Sequence, residues 1–75
     1  MLITLSKKTV DIFYYGDAVA AALGKVVKYA AFDEYDVVRY ESKPVERWEL
    51  RLFHNGVDIG QVVVLRTEDG VEAHL

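Results

Sequence analysis

The sequence predicts an α+β fold: one amphipathic helix packed on one face of a mostly antiparallel sheet of about four to six strands, in the order β(β)αββββ. Three observations carry this. A stripe of apolar residues at helical spacing follows an acidic cap at Asp17. A strictly alternating segment runs from Arg47 to Phe53. An Asn55-Gly56 pair then separates that segment from a second β-rich run. A helix with one apolar stripe and a sheet with one apolar face each need a partner, and each supplies the other's.

The chain of 75 residues is sized for a single domain, residues 1–75, with 52% hydrophobic and 12% aromatic residues to build a core. Leu2 to Leu5 is a short β-prone run. Val10 to Tyr15 alternates and suits a second strand, with Ser6 to Thr9 as the hairpin turn. Thr9 capping a helix that starts near Val10 is the alternative. Asp17 is an N-cap, its carboxylate placed to accept an orphan amide of the first helical turn. Val19, Leu23, Val26 and Ala30 form the stripe, widened by Ala22 and Val27. Gly24 weakens the helix by about 1 kcal/mol relative to alanine. Either the helix ends there or, as the in-phase stripe favours, it continues.

Asp33-Glu34-Tyr35-Asp36 reads as an acidic loop, because acids oppose the dipole at a helix C-terminus. Val37 to Ser42 is the next strand and Lys43-Pro44 a turn. In Arg47 to Phe53, Trp48, Leu50 and Leu52 share the core face. Arg47, Glu49 and Arg51 share the wet face, where they suit cross-strand ion pairs. Asn55-Gly56 fits a type I′ turn, since both residues tolerate positive φ. Val57 to Arg66 follows, with a bulge at Gly60. Asp69-Gly70 turns the chain into a last strand, Val71 to Leu75.

Composition narrows the function classes. There is no cysteine, so disulfides, thiolate nucleophiles and cysteine-ligated zinc are excluded, in keeping with a reducing cytoplasm. Met1 to Lys8 places its lysines after a very short apolar run, the reverse of a secretory signal, and no stretch is long enough for a membrane span. The expected location is cytoplasmic. The net charge of −3 is uneven. Up to Ala31, four lysines face two aspartates; from Phe32 onward, ten acids face five bases. An acidic half is repelled by nucleic acid and attracted to a basic protein groove.

No catalytic, cofactor or metal site is expected. The nucleophile candidates Ser6, Ser42, Thr4, Thr9 and Thr67 lie in no nucleophile motif, and His54 and His74 read as a turn and a near-terminal histidine. Asp33, Glu34 and Asp36 lack the length and central glycine of a calcium loop. No glycine-rich phosphate cradle is present. The expected activity is therefore non-enzymatic protein binding. The expected contact residues are Asp33, Glu34, Tyr35 and Asp36, extended by Glu41, Glu46 and Glu49, with the acids imitating nucleic-acid phosphates in a partner's basic groove. Tyr14 and Tyr15 are added because the Phe13-Tyr14-Tyr15 block exceeds what one strand face can bury.

In size and charge alone the chain resembles phage-encoded inhibitors of bacterial defence, among them anti-CRISPR and anti-restriction proteins. That likeness implies an inhibitor occupying the functional or nucleic-acid-binding surface of another protein, within a complex that handles nucleic acid. Two alternatives stand beside it. One is a nucleic-acid-binding or regulatory module using Lys7, Lys8, Lys25 and Lys28 with Tyr14 and Tyr15 as stacking platforms. The other is a self-associating structural domain, a homodimer joined through the Val57 to Arg66 strand and the terminal strand.

Overall fold

In a computed structural model of the chain, residues 1–8 and 17–75 are described. The strand expected at Val10 to Tyr15, its alternative cap Thr9, and the contact residues Tyr14 and Tyr15 lie outside them. The described elements are β1 (Leu2–Ser6), α1 (Ala18–Val26), β2 (Glu34–Glu41), β3 (Glu46–His54), β4 (Val57–Arg66) and β5 (Gly70–His74). The strands form one antiparallel sheet in the order β1-β5-β4-β3-β2, with one helix against it. This is the α+β arrangement that the sequence predicts.

Asp17 caps α1 as expected, its carboxylate accepting the Ala20 amide at 3.1 Å. Ala18, Val19, Ala22, Leu23 and Val26 are buried along one face. The helix passes Gly24 but stops at Val26. Beyond it the chain tightens: the Lys28 and Tyr29 amides donate to the Lys25 and Val26 carbonyls, three residues back. Val27, whose amide still donates to the Leu23 carbonyl four residues back, lies at the margin of the stripe and faces solvent rather than widening it, while Ala30 packs against the core.

The helix lies over β1, β5 and β4. Leu5, Leu50, Leu52, Val62, Val64, Val71 and Ala73 meet it from the sheet, and Trp48 packs at the margin. The apolar face expected of β3 is thus the core face. One turn and one bulge confirm the expected chemistry. Asn55 and Gly56 take φ of 50° and 79°, as the β3–β4 hairpin requires. At the β4 bulge, Leu52 pairs with Gly60 and Phe53 with Asp58, leaving Ile59 as the inserted residue. The β2–β3 connection contains a cis Lys43–Pro44 bond.

Two expectations are corrected. Glu34, Tyr35 and Asp36 are not loop residues: β2 begins at Glu34. Nor do Val57 to Arg66 and the terminal strand offer the open sheet edges through which a homodimer was expected. β4 lies between β3 and β5, and β5 between β4 and β1, so among the described residues the edge strands are β1 and β2. The first strand takes the place beside the last because Leu5 and Val71, cross-strand partners, bury their side chains together under the helix. No helix among the described residues is long and apolar enough to cross a membrane.

Candidate protein-contact face

The register of the sheet sorts the candidate residues onto two faces. On the face away from the helix, Asp36 lies opposite Arg51, Arg39 opposite Glu49, and Glu41 opposite Arg47. Arg39 approaches Glu41 at 2.8 Å and Glu49 at 3.9 Å, and Arg47 approaches Glu49 at 3.3 Å. Arg51 pairs with Asp58 at 2.7 Å. Alternation along β3 puts its arginines and Glu49 on this side, and β2 and β4 meet them with opposite charge. The cross-strand pairs expected of Arg47, Glu49 and Arg51 are therefore present.

The same pairs divide the acidic surface expected from the sequence. Glu41 and Glu49 are matched by arginines, and Glu46 points to the helix side, where it accepts from Arg66 Nε and pairs with Arg66 Nη2. Asp33 ties the start of β2 to the β3–β4 hairpin. Its amide donates to the Phe53 carbonyl at 2.9 Å, and its carboxylate accepts the Asn55 amide at 3.0 Å, with His54 Nδ1 at 3.8 Å. Glu34 and Asp36 alone among these acids are exposed and have no ion-pair partner among the described residues. Tyr35, between them in sequence, points to the opposite face. The acids thus do not gather into one negative patch around Tyr35.

The helix-side face holds the more unusual surface. The helix stops short of β2, so none of the described elements covers the sheet there. Tyr35, Val37 and Tyr40 lie opposite Leu52, Leu50 and Trp48 and share their side of the sheet. Yet they are 46%, 49% and 50% exposed, while Leu50 and Leu52 are buried. The ring of Tyr40 sits 5.3 Å from that of Trp48, and the Arg66 guanidinium lies 5.7 Å over the indole. The Tyr40 hydroxyl donates to Glu46 Oε2 at 2.9 Å. A ring pair, a cation over the indole and a carboxylate joining both hold this end of the face in one geometry. Aromatic side chains already fixed in place lose little freedom on binding, which favours them as interface anchors.

Of this face, sequence reasoning found Tyr35 and Glu46 and missed Val37, Tyr40, Trp48 and Arg66. A signal existed: counting outward from Pro44, Tyr40 and Trp48 are equidistant, so a hairpin about that turn brings them opposite each other.

Pairs on both faces of the sheet predict two limbs in stability against pH. The Arg66 hydrogen bond, helped by that from Tyr40, holds Glu46 below the ordinary carboxylate value of 4.5. Arg51, helped by the Gly60 amide, holds Asp58 below 3.8. Both are lowered groups, so their stabilisation is complete above those ordinary values and is lost as pH falls through the lower folded-state ones. The hydrogen bond to Glu46 raises Tyr40 above 10.0. That contribution is complete below pH 10.0 and is lost as pH rises through the raised value. In thermal melts, Asp58→Asn flattens the acid limb and Tyr40→Phe flattens the alkaline one. Limbs identical to wild type in both variants would refute the assignment. All three groups are open to solvent, so the effects are small.

Elsewhere, His54 and His74 each lie near a carboxylate, Asp33 and Glu72. They stand at separate places in the sheet: His54 pairs with Val57 and His74 with Val63, six positions apart along β4 and hence about 20 Å. Among the described residues no three His, Asp or Glu side chains are grouped to hold a metal ion. Two open depressions flank the β4–β5 turn, of about 230 and 360 Å³; the larger contains Lys7, Ser42, Glu46 and Arg66. Lys7 and Lys8 follow β1, whereas Lys25 lies in the last turn of α1 and Lys28 just beyond it. No protein-family model matches the chain, and no match to it was found among curated proteins or solved structures.

Proposed function

We propose that this chain is a non-enzymatic protein-binding module whose contact surface is the uncovered, helix-side face of β2 and β3. One observation carries the reading. Three large side chains that share the core side of the sheet, Tyr35, Val37 and Tyr40, remain about half exposed beyond the reach of the helix. Contiguous exposed apolar area rimmed by charge marks interaction surfaces on small domains. Here Glu46 and Arg66 form part of the rim. The reading extends to an inhibitor that occupies a partner's functional surface in the cytoplasm, as phage-type anti-defence proteins such as anti-CRISPRs do. Size, acidity and the lack of cysteine support that extension. Glu34 and Asp36, exposed and unmatched, are the acids that would meet a basic partner.

Affinity capture from host lysate with mass spectrometry tests the proposal, comparing wild type with a Tyr35→Ser, Tyr40→Ser double variant. The expected result is a specific protein retained by wild type and reduced at least about tenfold by the double variant, as for loss of interface anchors. Glu34→Lys with Asp36→Lys is expected to weaken capture further only if the partner surface is basic. Equal retention by the folded double variant removes this face from the proposal.

A further inference from the structure

The uncovered face ends at β2, whose outer edge has no strand beside it among the described residues. We infer that a second copy of this chain docks there, β2 against β2 in antiparallel fashion about a two-fold axis normal to the sheet. Tyr35 of each copy lies opposite Tyr40 of the other, Asp36 opposite Arg39, and Val37 opposite Val38. The inference rests on reading this side of the sheet as a contact surface, and it names the occupant of its edge.

A bulge selects the register. Val37 pairs with Leu50 and Arg39 with Glu49, so Val38 is an inserted residue in β2. In an unbroken strand, side chains alternate strictly. Two copies paired about a normal axis must then match residues separated by an even number of positions, or apolar side chains would meet charged ones across the joint. The extra residue reverses this rule for pairs that span it. Tyr35 and Tyr40 both lie on the helix side, opposite Leu52 and Trp48, although they are five positions apart. Asp36 and Arg39 both lie on the far side, opposite Arg51 and Glu49, although they are three apart. Only the register that sets one bulge against the other keeps every such pair on a common face.

Charge agrees with that register. It places Asp36 against Arg39 twice, once on each side of the axis. The pair of like charge it creates, Glu34 against Glu41, is relieved because Glu41 already lies 2.8 Å from Arg39 and 4.0 Å from Arg47. Shifting the strands two positions along either sets Asp36 against Glu41 or sets Asp36 against Val37. At the centre stand two valines, and Val38 is 57% exposed in the single chain. A two-fold contact of this kind is isologous and closes at two copies. It continues the sheet from five strands to ten, places both helices on the same side, and joins the two uncovered faces into one trough between them.

Sedimentation over a range of concentrations tests this. Wild type at about 100 µM is expected at twice the chain mass of 8.5 kDa, since a contact of micromolar Kd is assembled there. Asp36→Arg and Arg39→Asp are each expected to weaken self-association at least about tenfold, because either one makes both symmetry-related pairs alike in charge. Mixing these two variants restores a dimer containing one copy of each, since every pair is then opposite. Val38→Lys, which touches no ion pair, is expected to be monomeric and, by circular dichroism, folded. Wild type at the mass of one chain at every concentration overturns the inference. So do folded charge variants that stay dimeric or fail to pair with each other. A monomeric wild type whose captured partner is still lost on Tyr35→Ser, Tyr40→Ser sinks the self-pairing and leaves the contact face standing. A dimeric wild type whose capture ignores those changes supports the self-pairing and sinks the wider reading.

Discussion

Gly70→Ala is expected to lower stability by about 3–5 kcal/mol, enough to unfold much of a small domain at 37 °C. Gly70 opens β5 with φ at 152°, a conformation that side chains rarely adopt. A Cβ there would overlap the Leu5 carbonyl oxygen and lie 2.9 Å from its carbon. Both obstacles belong to β1 backbone, which cannot swing aside as a flexible side chain does. Gly70 is also the partner of Ser6 in the β1–β5 ladder, and its carbonyl accepts the Thr67 amide at 2.8 Å to close the preceding turn. Relief of the clash must therefore separate β1 from β5 or open that turn. Urea unfolding measures the loss. A variant within about 0.5 kcal/mol of wild type, the range of ordinary surface substitutions, would show that β1 is not held where this packing places it.

Leu50→Ala comes next, with an expected cost of about 2–5 kcal/mol. Leu50 has no exposed surface and sits on the central part of β3, between Val37 and Val62. It belongs to the buried cluster that the sheet and the helix share. Neighbours on three paired strands cannot collapse into the void, so a cavity term adds to the lost transfer energy. The control is Val38→Ala on β2, an exposed site that is expected to cost far less. Equal losses at the two sites by chemical denaturation would contradict the assignment of the core.

These two side chains also mark what could be read from the residues alone. Leu50 lies in a segment whose alternation survives because one face is dry and the other wet, so its strand, its face and the ion-pairing character of the opposite face were all legible. Asp17 and Asn55-Gly56 were legible for a different reason: each satisfies a local backbone requirement. β2 was not. At the edge, both of its faces meet water, so alternation loses its contrast, and Glu34 and Asp36 look like loop acids. The joining of β1 to β5 left no trace either, because a pairing between the two ends of the chain depends on the closed shape and not on neighbours in sequence. The acidic surface failed on the same point. Whether Glu41, Glu46 or Glu49 carries free charge depends on which arginine the register sets across from it. Tyr40 and Trp48 meet for the same reason.

The order of the strands also bears on how the molecule assembles. From Glu34 to His74 each strand joins its predecessor through a short turn, so these hairpins close cheaply and can zip in succession. Leu2 must find His74 across almost the whole length of the polypeptide. Closing so long a loop costs entropy that no local contact returns. The seam between first and last strands is therefore the natural final step, and it is completed only once the helix has an apolar floor to rest on. A nascent or partly opened molecule would keep the meander and shed that seam first, exposing the edge of β5 while the aromatic end around Trp48 stays assembled.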